Sequence, residues 1–488
     1  MVRFRLEDIC LLYIRENFKI FNHAYLVSEN ETLQANLGFL QLVYSNCLLE
    51  DLRAERKLSE KYLRFLFNEH LTELNFVNFS NRCLKTFRDY IPVPKNLVKV
   101  TFDCETLYQY PDLTSKFEDL LRNVKILCVL GDFDEYKGIP VHFYRCVSSV
   151  ASTISRCCVN LEELDLSQAK VSFKLLKILS RSSSVVRSLR VLQLVRIPDD
   201  RNKIPYIKTL AHILRKMPFL QVVSRFYVPE ALHILHGKDL IKNRLNTVQT
   251  YSLTKLEIYT GPYEEILTIC TVLCPNVTKL TITVRAQEHL HWCSKFPKLE
   301  ALKIICGPRT LNLNNLLETK GSDFTSLKLG LCLSISLSVL ARNCQKLRKL
   351  HLGYTTMYYP DTDSILTLKS LKELRYCVDK NCPHNIKALS LILNSSSNLE
   401  NLYLLYVCSD PVVNNMVLKC CERNTLKHLY LHSSSYDADF LKIILKSCTS
   451  LQRLSVGKLG RSDSELKDLT LAAYSAINSP EIEWILCN

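Results

Sequence analysis

One short pattern recurs along the chain and leaves little freedom for any other architecture. A hexapeptide with apolar residues at its first, fourth and sixth positions reads LEELDL from Leu161, LRVLQL from Leu189, LTKLEI from Leu253, VTKLTI from Val277 and LEALKI from Leu299. It continues as FTSLKL from Phe324, LRKLHL from Leu347, LKELRY from Leu371, LENLYL from Leu399, LKHLYL from Leu426 and LQRLSV from Leu451. Its second half alternates apolar with polar residues, the period of a strand. The stretch before Leu347 instead places Leu337, Leu340 and Cys344 about one turn apart, the spacing of a helix. Successive starts lie 28, 31, 33, 24, 22, 25, 23, 24, 28, 27 and 25 residues apart when a weaker unit at Leu220 is included.

A strand followed by a turn and a returning helix buries too little apolar surface to stand alone, whereas stacked units share one core. The spacing fits the roughly 20–29-residue period of leucine-rich repeats with two or three loop insertions. The expected fold is therefore α/β: a leucine-rich repeat solenoid, a horseshoe with a parallel β-sheet on its concave face. Weaker copies start at Leu71, Leu97, Val124 and Ile482. The chain thus divides into residues 70–488, holding about fifteen repeats, and a non-repeating helical module over residues 1–69 that caps the array or docks an adaptor.

The 488 residues carry 47 % hydrophobic side chains, ample for a continuous core, and no polar low-complexity segment. Arg3, Arg5, Glu7 and Asp8 interrupt the apolar N-terminus, and no run approaches the roughly 18 uncharged apolar residues of a membrane span. The expectation is a soluble protein of the cytoplasm or nucleus with no membrane partner. The 21 cysteines suit that compartment. Cys158, Cys274, Cys344 and Cys448 each precede a repeat's first strand leucine or valine by three residues, where Met217 and Phe296 stand in other repeats, and read as compact core residues. Cys157-Cys158 and Cys420-Cys421 lack the paired spacing of a zinc site. A net charge of +15 favours acidic partners, but Lys and Arg are spread rather than striped, so nucleic acid is the lesser expectation.

In the N-terminal module, Leu6, Cys10 and Ile14 share one helix face. A second amphipathic segment runs from Leu33 to Leu48 through Leu37, Leu40, Val43 and Cys47, and a third opens at Ser59 and carries Leu63, Leu66 and Phe67. The segment Leu6-Glu-Asp-Ile-Cys10-Leu-Leu-Tyr-Ile14 resembles the elongin-binding box of Zyg-eleven-type substrate receptors, in which the box likewise precedes leucine-rich repeats. That resemblance implies that Leu6 enters a pocket on elongin C, with Cys10 and Ile14 beside it, and that elongin B/C and a cullin complete a RING ubiquitin ligase. Arg5 stands where the box has a small, hydroxyl or proline residue, and the proline-bearing cullin-contacting segment has no clear counterpart. The repeats also resemble the cysteine-containing type of F-box receptors, through Ile154–Leu161, Cys270–Val277 and Leu337–Leu347, although the Leu-Pro opening and later tryptophan of an F-box are absent. The F-box adaptor with its cullin is the alternative partner. A third reading needs neither: Leu6, Cys10 and Ile14 shield the open end of the core, as terminal units must.

Residues flanking the inward pair of each strand point to the concave side. In the last repeats these include Lys349, His351, Arg375, Tyr403, His428, Tyr430, His432 and Arg453, with Glu373, Asn401 and Ser455 among them. Aromatic and arginine side chains concentrate binding energy, so this C-terminal surface is the expected contact for a protein substrate carrying acidic or aromatic residues. His428 and His432 lie two alternate positions apart without a third ligand in register, so no metal is expected. The connections Asp132–Arg145 and Pro229–Asn246 are candidate loop extensions of a binding surface. Only 11 glycines occur and no phosphate loop, H-E-x-x-H, G-x-S-x-G or kinase signature, so no cofactor and no catalytic residue is expected. The function read from the sequence is a non-catalytic substrate-recognition subunit of a ubiquitin ligase, or an interaction scaffold without a ligase.

Overall fold

The computed structural model describes residues 13–14, 44–54, 58–59, 62–63, 66–68, 70–77, 79–90, 94–103, 114–130, 152, 154–168, 173–194, 203–223, 227–259, 263–306, 311–330, 333–353, 356–358, 367–377, 383–405, 411–432, 438–457 and 483–487. Leu6, Cys10 and the connection over residues 132–145 lie outside them. The chain forms two compact units, one running to Leu256 together with Val272–Cys274, the other from Glu257 onward.

Every repeat start read from the sequence carries a strand. The first unit holds β1 (Glu73–Asn75), β2 (Lys99–Asp103), β3 (Ile126–Leu130), β4 (Glu163–Gln168), β5 (Val191–Leu194) and β6 (Val222–Val223), parallel and in sequential order. The pairing is regular apart from a register shift between β3 and β4 at Cys128 and Leu130. A ten-stranded parallel sheet takes β7 (Lys255–Ile258), β8 (Lys279–Val284), β9 (Ala301–Cys306), β11 (Ser326–Leu329), β13 (Lys349–Gly353), β15 (Glu373–Cys377), β16 (Asn401–Leu405), β17 (His428–His432), β18 (Arg453–Gly457) and β19 (Glu483–Cys487), again in sequential order. Three of its repeats carry an additional short strand, β10 (Leu311–Asn312), β12 (Leu333–Ser336) and β14 (Thr356–Tyr358), and these pair into a small parallel sheet of their own.

The strands follow from the alternation. In the second unit Leu327, Leu350, Leu374, Leu402, Leu429 and Leu454 are partners in register across adjacent strands. Leu329, Leu352, Tyr376, Leu404, Leu431 and Val456 form a second such row, and none of the twelve exceeds 3 % exposure. Each buried side chain contributes about 1.5–3 kcal/mol relative to an exposed one, and repetition is what makes the sum sufficient. Entry into each strand repeats one bond pattern: the Arg348 carbonyl accepts from the N–H groups of both Lys372 and Glu373, and the Lys372 carbonyl from both Glu400 and Asn401, all at 2.9 Å.

The cysteine positions are core. Cys158, Cys274, Cys344 and Cys448 are at most 4 % exposed, as are Met217 and Phe296 in the equivalent slot. Burial alone pushes the Cys274 thiol up to about 12.

Two expectations change in detail. Of the Pro229–Asn246 connection, most is helix α1 (Val228–Ile241), with Pro229 in its first turn, where the missing N–H costs nothing. In the N-terminal module, helix continues over residues 44–54, beyond the expected end at Leu48, and Cys47 is exposed. The buried positions are Ser45, Leu48, Leu49 and Leu52, so the apolar stripe runs to one side of Cys47. This segment closes the edge of the first sheet. The Asn46 side-chain oxygen accepts from the N–H groups of Thr72 and Glu73 at 3.2 Å, its amide donates to the Thr72 hydroxyl at 3.0 Å, and the Arg53 guanidinium donates to the Val77 carbonyl at 3.1 Å. Beneath it Phe67, Phe76, Phe79 and Phe87 pack ring to ring.

Candidate protein-binding face

The side of the ten-stranded sheet opposite the leucine rows is lined by the residues between them. Register fixes their order. One row reads Lys303, Lys328, His351, Arg375, Tyr403 and Tyr430 across β9, β11, β13, β15, β16 and β17. The row beside it reads Lys349, Glu373, Asn401, His428 and Arg453 across β13 to β18.

Glu373 is the centre of these contacts. Its carboxylate accepts from Lys349 Nζ at 3.0 Å, His351 Nε2 at 2.8 Å and Arg375 Nε at 3.2 Å, and its side chain is only 12 % exposed. Burial acts to raise the Glu373 carboxyl, but hydrogen bonds from Lys349 and His351 outweigh it and hold the group below its ordinary value. His351 is lowered to about 4, first by burial and then by the Lys328 and Arg375 charges, with Glu373 acting the other way. At neutral pH the pair is therefore a neutral imidazole donating to a charged carboxylate. Lys328 is lowered as well, by burial first and then by Arg375, Lys303 and Lys349, only partly offset by Glu373. Among the described residues Lys349 and Arg375 pair with Glu373 and Lys328 also feels its charge, so one carboxylate faces more cations than it can neutralise.

The aromatic end follows directly. The Arg375 guanidinium lies over the Tyr403 ring, 4.2 Å from its centroid, and Tyr403 and Tyr430 are 6.0 Å apart between centroids. Such stacking holds Arg375 flat across the sheet while leaving its outer edge to solvent. The arrangement offers charged and aromatic groups fixed by one another, suited to binding.

Of the residues expected here, Lys349, His351, Arg375, Tyr403 and Tyr430 come together in this cluster. His428 and Arg453 are neighbours along the adjacent row. The His432 backbone pairs with Leu405, and its side chain lies outside the described residues. Lys303 and Lys328 were not singled out from the sequence, although the same register position read two repeats back identifies both. Glu373 was read as one surface position among several; its role emerges only when the adjacent strand β13 brings Lys349 and His351 to it, beside Arg375 of its own strand.

A separate groove of about 670 Å³ lies at the entry ends of the strands, lined by Arg348, Lys369, Lys372, Asn398, Glu400 and Lys427 among others. Glu400 bridges Lys372 at 2.6 Å and Lys427 at 3.0 Å. Among the described residues no group of His, Cys, Asp and Glu could hold a metal ion, and no helix is long and apolar enough to cross a membrane.

Of the three box residues, Ile14 alone is described. It is helical and 6 % exposed, while its neighbour Tyr13 is 61 % exposed.

These features define the chain as a leucine-rich repeat solenoid with a polar open face. No protein-family model and no curated protein matches it. Among solved structures, the Rad7 and Elc1 complex in yeast is similar over 99 % of this chain and 98 % of that one, at 12 % identity and a TM-score of 0.39. The leucine-rich repeat-containing protein LegL7 from Legionella pneumophila is similar over 85 % of this chain and 99 % of that one, at 13 % identity and a TM-score of 0.29. The plant peptide hormone receptor RGFR1 in complex with RGF2 is similar over 88 % and 64 %, at 12 % identity and a TM-score of 0.28. At these values the likenesses carry no argument about partners, and the fold rests on the strands, register and burial above.

Proposed function

We propose that this protein is a non-catalytic substrate-recognition subunit of a cullin-RING ubiquitin ligase, acting in the cytoplasm or nucleus. Its N-terminal helix docks the adaptor through Leu6, Cys10 and Ile14, and its open repeat face holds a protein substrate. The observation that carries the reading is the Leu6–Ile14 segment, which resembles the elongin-binding box and stands before a repeat array with a built polar face. Catalysis would be by proximity: a substrate lysine held near a charged ubiquitin-conjugating enzyme reacts at a high effective concentration while the chemistry occurs elsewhere. Affinity purification of the full chain tests this, comparing wild type with Leu6→Ala/Cys10→Ala. Elongin B/C and a cullin co-purify with wild type and are lost from the variant. Recovery of the F-box adaptor instead would reassign the docking module, and recovery of neither from wild type would remove the ligase from the account.

A specific observation supports the second reading, an interaction scaffold with no ligase connection. Ile14 is buried within the chain itself, and residues 44–54 seal the β1 edge, so this module has capping work independent of any adaptor. On that reading Leu6→Ala/Cys10→Ala lowers thermal stability and changes no partner.

A further inference from the structure

The open face is not uniform: along one row it changes from cationic to aromatic. Lys303 and Lys328 occupy one end, Tyr403 and Tyr430 the other, with the His351–Glu373–Arg375 cluster between them. The cationic end is under-compensated. Among the described residues Glu373 is the carboxylate that acts on Lys328, and it is drawn toward Lys349 and Arg375. Along the neighbouring line Gly353, Cys377 and Leu405 are in register, with Gly330 following β11. Two positions next to Lys328 and His351 therefore have no side chain, so a polypeptide backbone can lie close to the floor there. At the aromatic end Cys377 and Leu405 add half-buried apolar surface beside the tyrosines.

From this we infer that the face binds an extended acidic segment of a partner protein, with a carboxylate seated on Lys328 at the cationic end and a bulky apolar side chain on Tyr403 four residues away. The offset follows from dimensions. Lys328 and Tyr403 are three strand steps apart, about 14 Å at about 4.8 Å per step, and an extended chain advances about 3.3 Å per residue. Four residues span that distance. An even offset also turns both side chains toward the same face, whereas three or five would turn one of them away. The inference rests on the open face being the substrate surface and is independent of which adaptor docks, if any.

The experiment uses the full-length protein and fluorescein-labelled ten-residue peptides holding a Glu-Glu pair and one Phe on a Gly-Ser background, with the offset from the second Glu to Phe set to two, three, four or five. Anisotropy gives the affinities. The expected result is an optimum at four, with offsets of three and five at least fivefold weaker. Lys328→Glu and Tyr403→Ala should each weaken the best peptide at least fivefold. Lys369→Glu, which makes the same change in net charge in the separate groove, should leave it within twofold. The inference is overturned if affinity ignores the offset, if Lys328→Glu and Lys369→Glu act alike, or if a single-stranded RNA homopolymer of equal charge binds more tightly than any peptide. Circular dichroism melts of each variant check that a loss comes from the face and not from unfolding. Because no adaptor is present, failure here leaves the co-purification result standing, and the reverse also holds.

Discussion

Glu373→Ala is the sharpest single test of how the face is held. The substitution removes the acceptor of His351, Lys349 and Arg375 and the carboxylate charge that acts on Lys328. The His351–Glu373 bond is shielded, with side chains 16 % and 12 % exposed, so it is worth about 1.5–3 kcal/mol as a hydrogen bond to a charged group. Lys349 and Arg375 are 56 % and 47 % exposed, so each adds only the surface value of about 0.2–1 kcal/mol. Relief of the carboxylate's own desolvation pulls the total down, leaving a loss of about 3 kcal/mol. Glu373→Gln retains a carbonyl for His351 and should cost about 1 kcal/mol. Urea unfolding followed by circular dichroism reads both, with Lys349→Ala and its double variant closing a cycle. The reasoning is refuted if Glu373→Ala lies within about 0.5 kcal/mol of wild type, or if the glutamine is the more damaging of the two.

Acid should weaken the second unit through the same pair. His351 is held near 4 in the folded chain against an ordinary value of 6.5, so the unfolded chain takes up the proton first and stability falls as pH drops through that window. The cost between about pH 7 and pH 4.5 is about 2–3 kcal/mol, and the urea midpoint of His351→Gln should depend less on pH over that range. Glu373, also held down, extends the loss below its ordinary 4.5. Thiol labelling should be selective at about pH 8: exposed Cys47 reacts readily, whereas Cys274 and Cys293, both pushed up to about 12 by burial, react only after denaturation, as mass spectrometry of labelled peptides would show. Gly321→Ala places a methyl 2.9 Å from Asn343 Cβ and 3.1 Å from Cys344 Sγ, and should cost about 1–3 kcal/mol in a thermal or urea melt.

The sequence made the fold unusually legible because each repeat states the same answer again. Leu350 alone is ambiguous, but Leu350 repeated at Leu374, Leu402 and Leu429 is a sheet. The slot shared by Cys158, Cys274, Cys344 and Cys448 was readable for the same reason. Where repetition ends, so does legibility. Residues 44–54 have no second copy to calibrate their apolar stripe, and Cys47 was assigned to the wrong side of it. Helix α1 was read as a loop because it falls in a longer connection between repeat starts, where solenoid insertions map to loops, and Pro229 sits where a helix tolerates it. At the face, residue types and their row were readable, but the convergence of Lys349 and His351 on Glu373 depends on pairing between strands more than twenty residues apart in sequence.

Parallel register has one more consequence. The separation between the lysine end and the tyrosine end is set by how many strands lie between them, not by the length of any loop. Duplicating the β13 unit would push the two ends apart by a single increment of about 4.8 Å, and excising it would draw them together by the same amount, with the lysines and tyrosines at the two ends unchanged. Such a face works as a ruler graduated in whole repeats, and lineages that gain or lose a unit would change what they measure in discrete steps.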